Sequence, residues 1–264
     1  MDDEATPPPV GETYDRIATH FASTREYPWP EVVAFLGGDA GDGLADEAAS
    51  ILSGAATPEA SPDRGTDTST RGTDRGDDSD TPADQAARVG LDLGCGNGRH
   101  AEVLADRVET VVGADVSGGL LRTARERALD RGFDGALALL QADAASLPLA
   151  TDAVDVAVYV ATIHHLRPRD RRVASLSELA RVLAPGGRGL VSAWSTAHDR
   201  FDAEAGFDTT IPWTLPGGER VPRYYHIYDP AEFEADLRDS DLRIVDTVVS
   251  SGNCYAVVAP GGSA

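Results

Sequence analysis

The chain has 264 residues, 41% of them hydrophobic, and a net charge of −21. That suffices for one large α/β domain or two small ones, and no apolar run approaches the length of a membrane span. All 23 basic residues are arginine. An acidic, lysine-free surface suggests a high-salt cytoplasm, where screening over about 3 Å at molar salt keeps net charge from ruling out a nucleic-acid partner.

Residues 1–9, ending in Pro7-Pro8-Pro9, are expected to be a disordered lead. Their acidic start, Met1-Asp2-Asp3-Glu4, is unlike a signal peptide, which implies a cytoplasmic protein. An N-terminal helical cap follows over 10–53. Tyr14, Ile17, Ala18 and Phe21 fall at helical spacing, and Pro30 suits the first turn of a second helix. From 54 to 88 alanine is the only hydrophobic residue, so this acidic segment is expected to be a disordered insert.

Residues 89–260 alternate strand and helix: strands at 89–93, 110–115, 136–141, 154–161 and 188–194, helices at 98–107, 118–131 and 170–183. That spacing predicts a doubly wound, mostly parallel sheet. A polar excursion at 195–223 should cover the site. Helix 230–238 and strands 242–250 and 253–259 close the chain around Ser251-Gly252-Asn253, making one strand antiparallel. The two cysteines, Cys95 and Cys254, give neither a disulfide framework nor metal-ligand spacing.

The first core strand runs into Asp92-Leu93-Gly94-Cys95-Gly96-Asn97-Gly98, where glycines let backbone N–H groups approach a ligand. Asp115 ends the next strand, 17 positions after Gly98, and could accept ribose hydroxyls. Asp143 follows the third strand. Acid, Gly-x-Gly-x-Gly, acid and acid at successive strand ends resemble the S-adenosyl-L-methionine site of class I methyltransferases, with their Rossmann-like, seven-stranded α/β fold. By that resemblance Asp92, Gly94, Gly96 and Gly98 lie against the methionine part, Asp115 binds the ribose, and Asp143 with Ala144 meets the adenine.

A narrower resemblance rests on Tyr14-Asp15-x-Ile17-Ala18-x-His20-Phe21, Thr24-Arg25, Pro28-Trp29-Pro30, His164-His165, Arg171-Arg172, Ala193-Trp194, Pro212-Trp213 and Arg223-Tyr224-Tyr225-His226. These are similar to the tRNA wobble-uridine carboxymethyl methyltransferases, which esterify a 5-carboxymethyluridine. Glu26-Tyr27 departs from that family's aromatic-lysine pair. The resemblance implies tRNA as substrate and a small zinc-binding activator protein as partner. A carboxylate is ionised at neutral pH and needs no general base. Arg25 is expected to hold it, with His164 or His226 as helpers. Tyr27, Trp29 and Tyr225 are expected to stack on bases, with Trp194 and Arg223 also on the substrate side. The same core motifs would serve a small-molecule methyltransferase, the alternative reading.

Overall fold

The alternating patterns become one sheet in the computed structural model, which describes residues 8–37, 39–40, 44–54 and 88–262. The strands are β1 (Val89–Leu93), β2 (Thr110–Asp115), β3 (Leu137–Gln141), β4 (Val154–Val160), β5 (Leu183–Trp194), β6 (Phe207–Thr214), β7 (Arg220–Ile227), β8 (Leu242–Ser250) and β9 (Asn253–Pro260). Seven of them pair in the order β3-β2-β1-β4-β5-β9-β8, and β6 with β7 forms a separate ribbon. Only β9 runs against the other six, through antiparallel ladders to β5 and β8. This is the expected mostly parallel, seven-stranded sheet.

The helices are α1 (Val10–Ser23), α2 (Pro30–Phe35), α3 (Asp46–Gly54), α4 (Arg99–Ala105), α5 (Gly118–Arg131), α6 (Arg169–Val182) and α7 (Pro230–Arg238). The near-continuous apolar runs of β1 and β4 are buried on both faces, as parallel strands must be. One face packs Val158, Leu190 and Tyr255 against Phe35, Leu52 and Leu104 from α2, α3 and α4. The other packs Tyr159 and Val191 against Leu176, Leu179, Phe233 and Leu237 from α6 and α7. Helix α1 lays Tyr14, Ile17 and Ala18 against Leu120 of α5 and Val221 of β7.

Three expectations change. Strand β5 begins at Leu183, not 188: its register with β4 jumps from Val154↔Leu183 to Val156↔Arg188, so Pro185-Gly186-Gly187 bulges out within the strand. The excursion is not a plain polar loop, because Phe207–Thr214 and Arg220–Ile227 alternate residues and pair across the tight turn at Gly217-Gly218. The lead is partly structured. Pro8 and Pro9 wall a cavity, and the Pro9 carbonyl accepts the Thr13 N–H at the start of α1. Residues 1–7 and 55–87 lie outside the described residues; of the expected insert, Gly54 closes α3 and the Arg88 carbonyl accepts from Glu109 and Thr110.

Candidate active site

A cavity of about 460 Å³ opens at the carboxyl ends of β1, β2, β3 and β4, under α1 and β7. Its floor is the glycine turn. Gly94 sits at φ 73°, where a side chain would drive into Thr162, so the turn requires glycine there. The Gly94 and Cys95 N–H groups both donate to the Ala114 carbonyl, at 2.7 and 3.0 Å. The Asp115 carboxylate accepts from Gly96 N–H and Ser117 N–H, each at 2.9 Å. Burial raises its pKa, and these N–H groups oppose that rise. Beyond it, Asp143 and Ala144 line the same wall. Asp143 accepts the Ala145 N–H at 2.9 Å and pairs with Arg171.

The structure thus gathers Gly94, Gly96, Asp115, Asp143 and Ala144 around one cavity. Two of the expected cofactor residues, Asp92 and Gly98, are not part of the cavity lining. Asp92 is 1% exposed and stands behind the turn, with Oδ2 lacking a hydrogen-bond partner. Burial pushes its pKa up to about 7 against the opposing Ala101 N–H, so it anchors the start of α4. Gly98, at φ 77°, ends the turn against Ala124 of α5, where its missing Cβ allows close packing.

Helix α1 is latched to three loops around the cavity. Asp15 Oδ1 accepts from Ser117 Oγ and Gly119 N–H, both at 2.7 Å. Tyr14 donates its hydroxyl to His165 Nε2 at 2.8 Å. Asn97 of the glycine turn donates Nδ2 to the carbonyls of Ala22 and Arg25, at 3.3 and 2.8 Å.

The adjacent histidines separate by their partners. His165 lines the cavity but has no free nitrogen: Nδ1 donates to the Tyr224 carbonyl at 2.9 Å while Nε2 accepts from Tyr14. Burial brings its pKa down to about 4. His164 Nδ1 accepts the Trp194 N–H at 3.0 Å, which leaves the proton on Nε2. Burial holds this ring well below the usual histidine range, so it is a neutral donor. Tyr225 packs between them, 5.0 Å from the His164 ring and 4.5 Å from His165, with Trp194 behind at 5.5 Å. Arg223, 8% exposed, forms part of the cavity wall. Its guanidinium lies over Trp213 and Tyr225, at 4.9 and 5.1 Å, and its Nε has no hydrogen-bond partner.

Four substrate-side assignments move. Arg25 is outside the cavity wall; its guanidinium rests over Phe21 and Trp213 at 5.2 and 5.5 Å, whereas Arg99, Arg167, Arg171 and Arg223 line the cavity. His226 is no helper: Nδ1 faces Asp208 at 2.7 Å and Nε2 faces Glu232 at 2.9 Å, which ties β6, β7 and α7 together. Trp29 packs edge-on against His100 and Tyr255. Tyr27 is 79% exposed on a turn held by Arg127 to the Glu26 carbonyl, away from the cavity. Sequence reasoning missed Asp15, Asn97, Arg99 and Thr162 as site residues. Asp15 and Asn97 stood inside quoted motifs and Arg99 directly after the glycine turn, whereas Thr162 carried no signal.

A family model described as a methyltransferase domain matches residues 91–191, from the glycine turn to β5. Among curated relatives, a protein of Encephalitozoon cuniculi named as a methyltransferase is 32% identical over 174 residues, covering 64% of this chain and 76% of its own length. The tRNA (carboxymethyluridine(34)-5-O)-methyltransferase of Saccharomyces cerevisiae is 28% identical over 220 residues, covering 81% of this chain and 59% of its own length. This chain spans 20% of a longer mouse relative bearing the same activity name. Among solved structures, the CcbJ methyltransferase from Streptomyces caelestis superposes with a TM-score of 0.57 at 22% identity, over 67% of this chain and 85% of that one, a likeness of fold.

Proposed function

The chain belongs to the methyltransferase family, and we propose that it uses S-adenosylmethionine to esterify the carboxylate of 5-carboxymethyluridine at the tRNA wobble position. The observation that carries this reading is Arg223: a nearly buried guanidinium without an ion pair among the described residues, facing the cavity that holds the glycine turn. The activity printed for the Saccharomyces cerevisiae relative supplies the substrate class.

The residues present fit the cofactor. Asp115 and Asp143 line the cavity as acceptors suited to ribose hydroxyls and an adenine amine, and at Gly96 of the turn a Cβ would meet nothing nearer than Phe21 at 3.9 Å, so that glycine keeps open space. S-adenosylmethionine, when bound, supplies a methyl group on a sulfonium sulfur. Arg223 donates to one oxygen of the substrate carboxylate and leaves the other free as nucleophile. Tyr225, packed against the Arg223 guanidinium and backed by Trp194, keeps water from that face of the cation, which strengthens its contacts. The finer setting is also proposed: a cytoplasmic, high-salt enzyme, a cap at 10–53, an insert at 54–88, and a small zinc-binding activator protein as partner.

Nucleoside mass spectrometry on bulk tRNA from a strain lacking the gene tests the reading. The expected result is loss of the methyl ester with accumulation of the free carboxymethyl nucleoside. An unchanged tRNA profile would overturn it and favour a small-molecule acceptor.

A further inference from the structure

The β6–β7 ribbon is separate from the main sheet, yet it carries Arg223 into the cavity wall. Three residues further along β7, His226 joins that ribbon to the body of the protein. The residue is 6% exposed, and both ring nitrogens face carboxylates: Nδ1 meets Asp208 of β6 at 2.7 Å and Nε2 meets Glu232 of α7 at 2.9 Å. A neutral imidazole has one N–H and one lone pair, so it satisfies one of these oxygens and sets its lone pair against the other. An imidazolium donates to both, which makes this the geometry of the charged ring. The surroundings fit a fixed cation. Burial pushes the Asp208 carboxyl up, but hydrogen bonds from His226 and Tyr224 outweigh it and hold the group below the usual carboxylate range. Gly206 leaves the room through which Glu232 reaches the ring, since a Cβ there would collide with its Oε2. Arg172 of α6, itself paired with Asp236, lies 3.6 Å from Glu232. The Tyr224 hydroxyl donates to Asp208 at 2.8 Å, the Tyr228 ring lies 4.6 Å from His226, and burial holds the nearby His164 neutral.

We propose that His226, as the imidazolium, is a positioning residue for carboxylate capture: it fastens the ribbon to α7 and so holds Arg223 at the cavity wall. The inference rests on the reading of Arg223 as the partner of the substrate carboxylate and adds a proton-dependent latch behind it. The connection is short. One oxygen of Asp208 takes both the Tyr224 hydroxyl and His226 Nδ1, and Tyr224 is the neighbour of Arg223 along β7. When the ring loses its second proton, a lone pair faces Asp208 or Glu232 and the ribbon is released from one of them. Histidine is the side chain whose ordinary titration falls near neutrality. Carboxylate capture is strong below the titration of this ring and weaker above it.

The test follows two signals of the full-length protein over one pH series. Nitrogen NMR reads the ring nitrogens of His226 and the Nε–H of Arg223, and methyl transfer to tRNA bearing the free carboxymethyl group reads kcat/KM. In wild type kcat/KM is expected to fall about tenfold on the alkaline side, the lower end for a hydrogen bond to a charged group. Its midpoint should match the titration of the ring, and the Arg223 resonance should shift with it. Glu232→Gln presents an amide donor to a neutral ring, so it should flatten both the alkaline fall and the Arg223 shift. His226→Gln, whose amide donates on one side only, should show the low alkaline value at every pH. Ring nitrogens that read as neutral where kcat/KM is highest overturn the latch. So does an Arg223 resonance that ignores the titration of the ring, or an alkaline fall that persists unchanged in Glu232→Gln. An Arg223 resonance that follows the ring, in a protein that methylates no such tRNA at any pH, supports the coupling and overturns the proposed acceptor instead.

Discussion

Replacing Arg223 by methionine separates function from stability. Arg223 is 8% exposed, its Nε is unsatisfied, and its guanidinium lies over the faces of Trp213 and Tyr225. In the substrate-free protein those two contacts are worth about 0.5–1 kcal/mol each. They are set against the penalty of holding a charge out of water without a counter-ion. Methionine keeps most of the apolar stem and removes the charge, so the melting temperature should stay within about 4 °C of wild type, on the order of 1 kcal/mol. Activity should respond differently. A hydrogen bond to a charged group contributes about 1.5–3 kcal/mol, and each 1.4 kcal/mol is tenfold. The kcat/KM for tRNA bearing the free carboxymethyl group should therefore fall about ten- to a hundredfold, with cofactor affinity unchanged. The assay is transfer of a radiolabelled methyl group, read with thermal denaturation of the same preparations. Arg223→Lys should fall between, because it keeps the charge and loses the planar fork. Wild-type kcat/KM in Arg223→Met would refute the clamp, as would a loss of activity matched by a collapse in melting temperature.

Gly94→Ala should lower the melting temperature and abolish detectable cofactor binding in calorimetry. The left-handed backbone costs an L-residue about 1–2 kcal/mol, and the new methyl meets Thr162; adding Thr162→Ala should restore part of the melting temperature. His165 has a pKa of about 4 in the fold against an ordinary 6.5, so the fold favours its neutral form. Its contribution is present above about pH 6.5 and is lost as pH falls toward 4, amounting to about 3 kcal/mol. Urea unfolding at pH 7.5 and 4.5 should show a smaller acid loss in His165→Gln than in wild type. Asp15→Ala removes two hydrogen bonds to a carboxylate and should cost about 2–4 kcal/mol with weaker cofactor binding, whereas Asp15→Asn, which keeps the accepting oxygen, should lose much less.

The fold was legible because parallel strands announce themselves. The runs at 89–93, 110–115 and 154–160 are apolar enough to be buried on both faces, and each is followed by a turn and a helix pattern. The cofactor side was legible for a related reason: glycines and strand-end acids work through the backbone, so spacing encodes their place. The excursion was harder. Tyr224 and His226 read as aromatic and basic candidates, yet Asp208 engages both from across the ribbon, a partner 16 or more positions away. Arg25 and Arg223 look alike in sequence, each beside aromatics. What distinguishes them is that β7 carries one into the cavity wall while the turn after α1 leaves the other outside it. No local pattern records that difference.

Helix α1 makes the two halves of the site one mechanical unit. Asp15 grips the loop whose Ser117 N–H holds Asp115, so ordering α1 orders that acid. Tyr14, one residue earlier, fixes His165, whose other nitrogen holds the Tyr224 carbonyl beside Arg223. Asn97 fastens the glycine turn to the end of α1 and the Arg25 carbonyl. Each contact spans more than 70 residues of chain, and each joins α1 to a different loop. Loosening this helix therefore disturbs Asp115 and the segment carrying Arg223 together, two parts of one cavity wall. In the proposed esterification, which needs no general base, the rate must come from alignment of the two reactants, and one short helix couples both sides of the cavity that would align them.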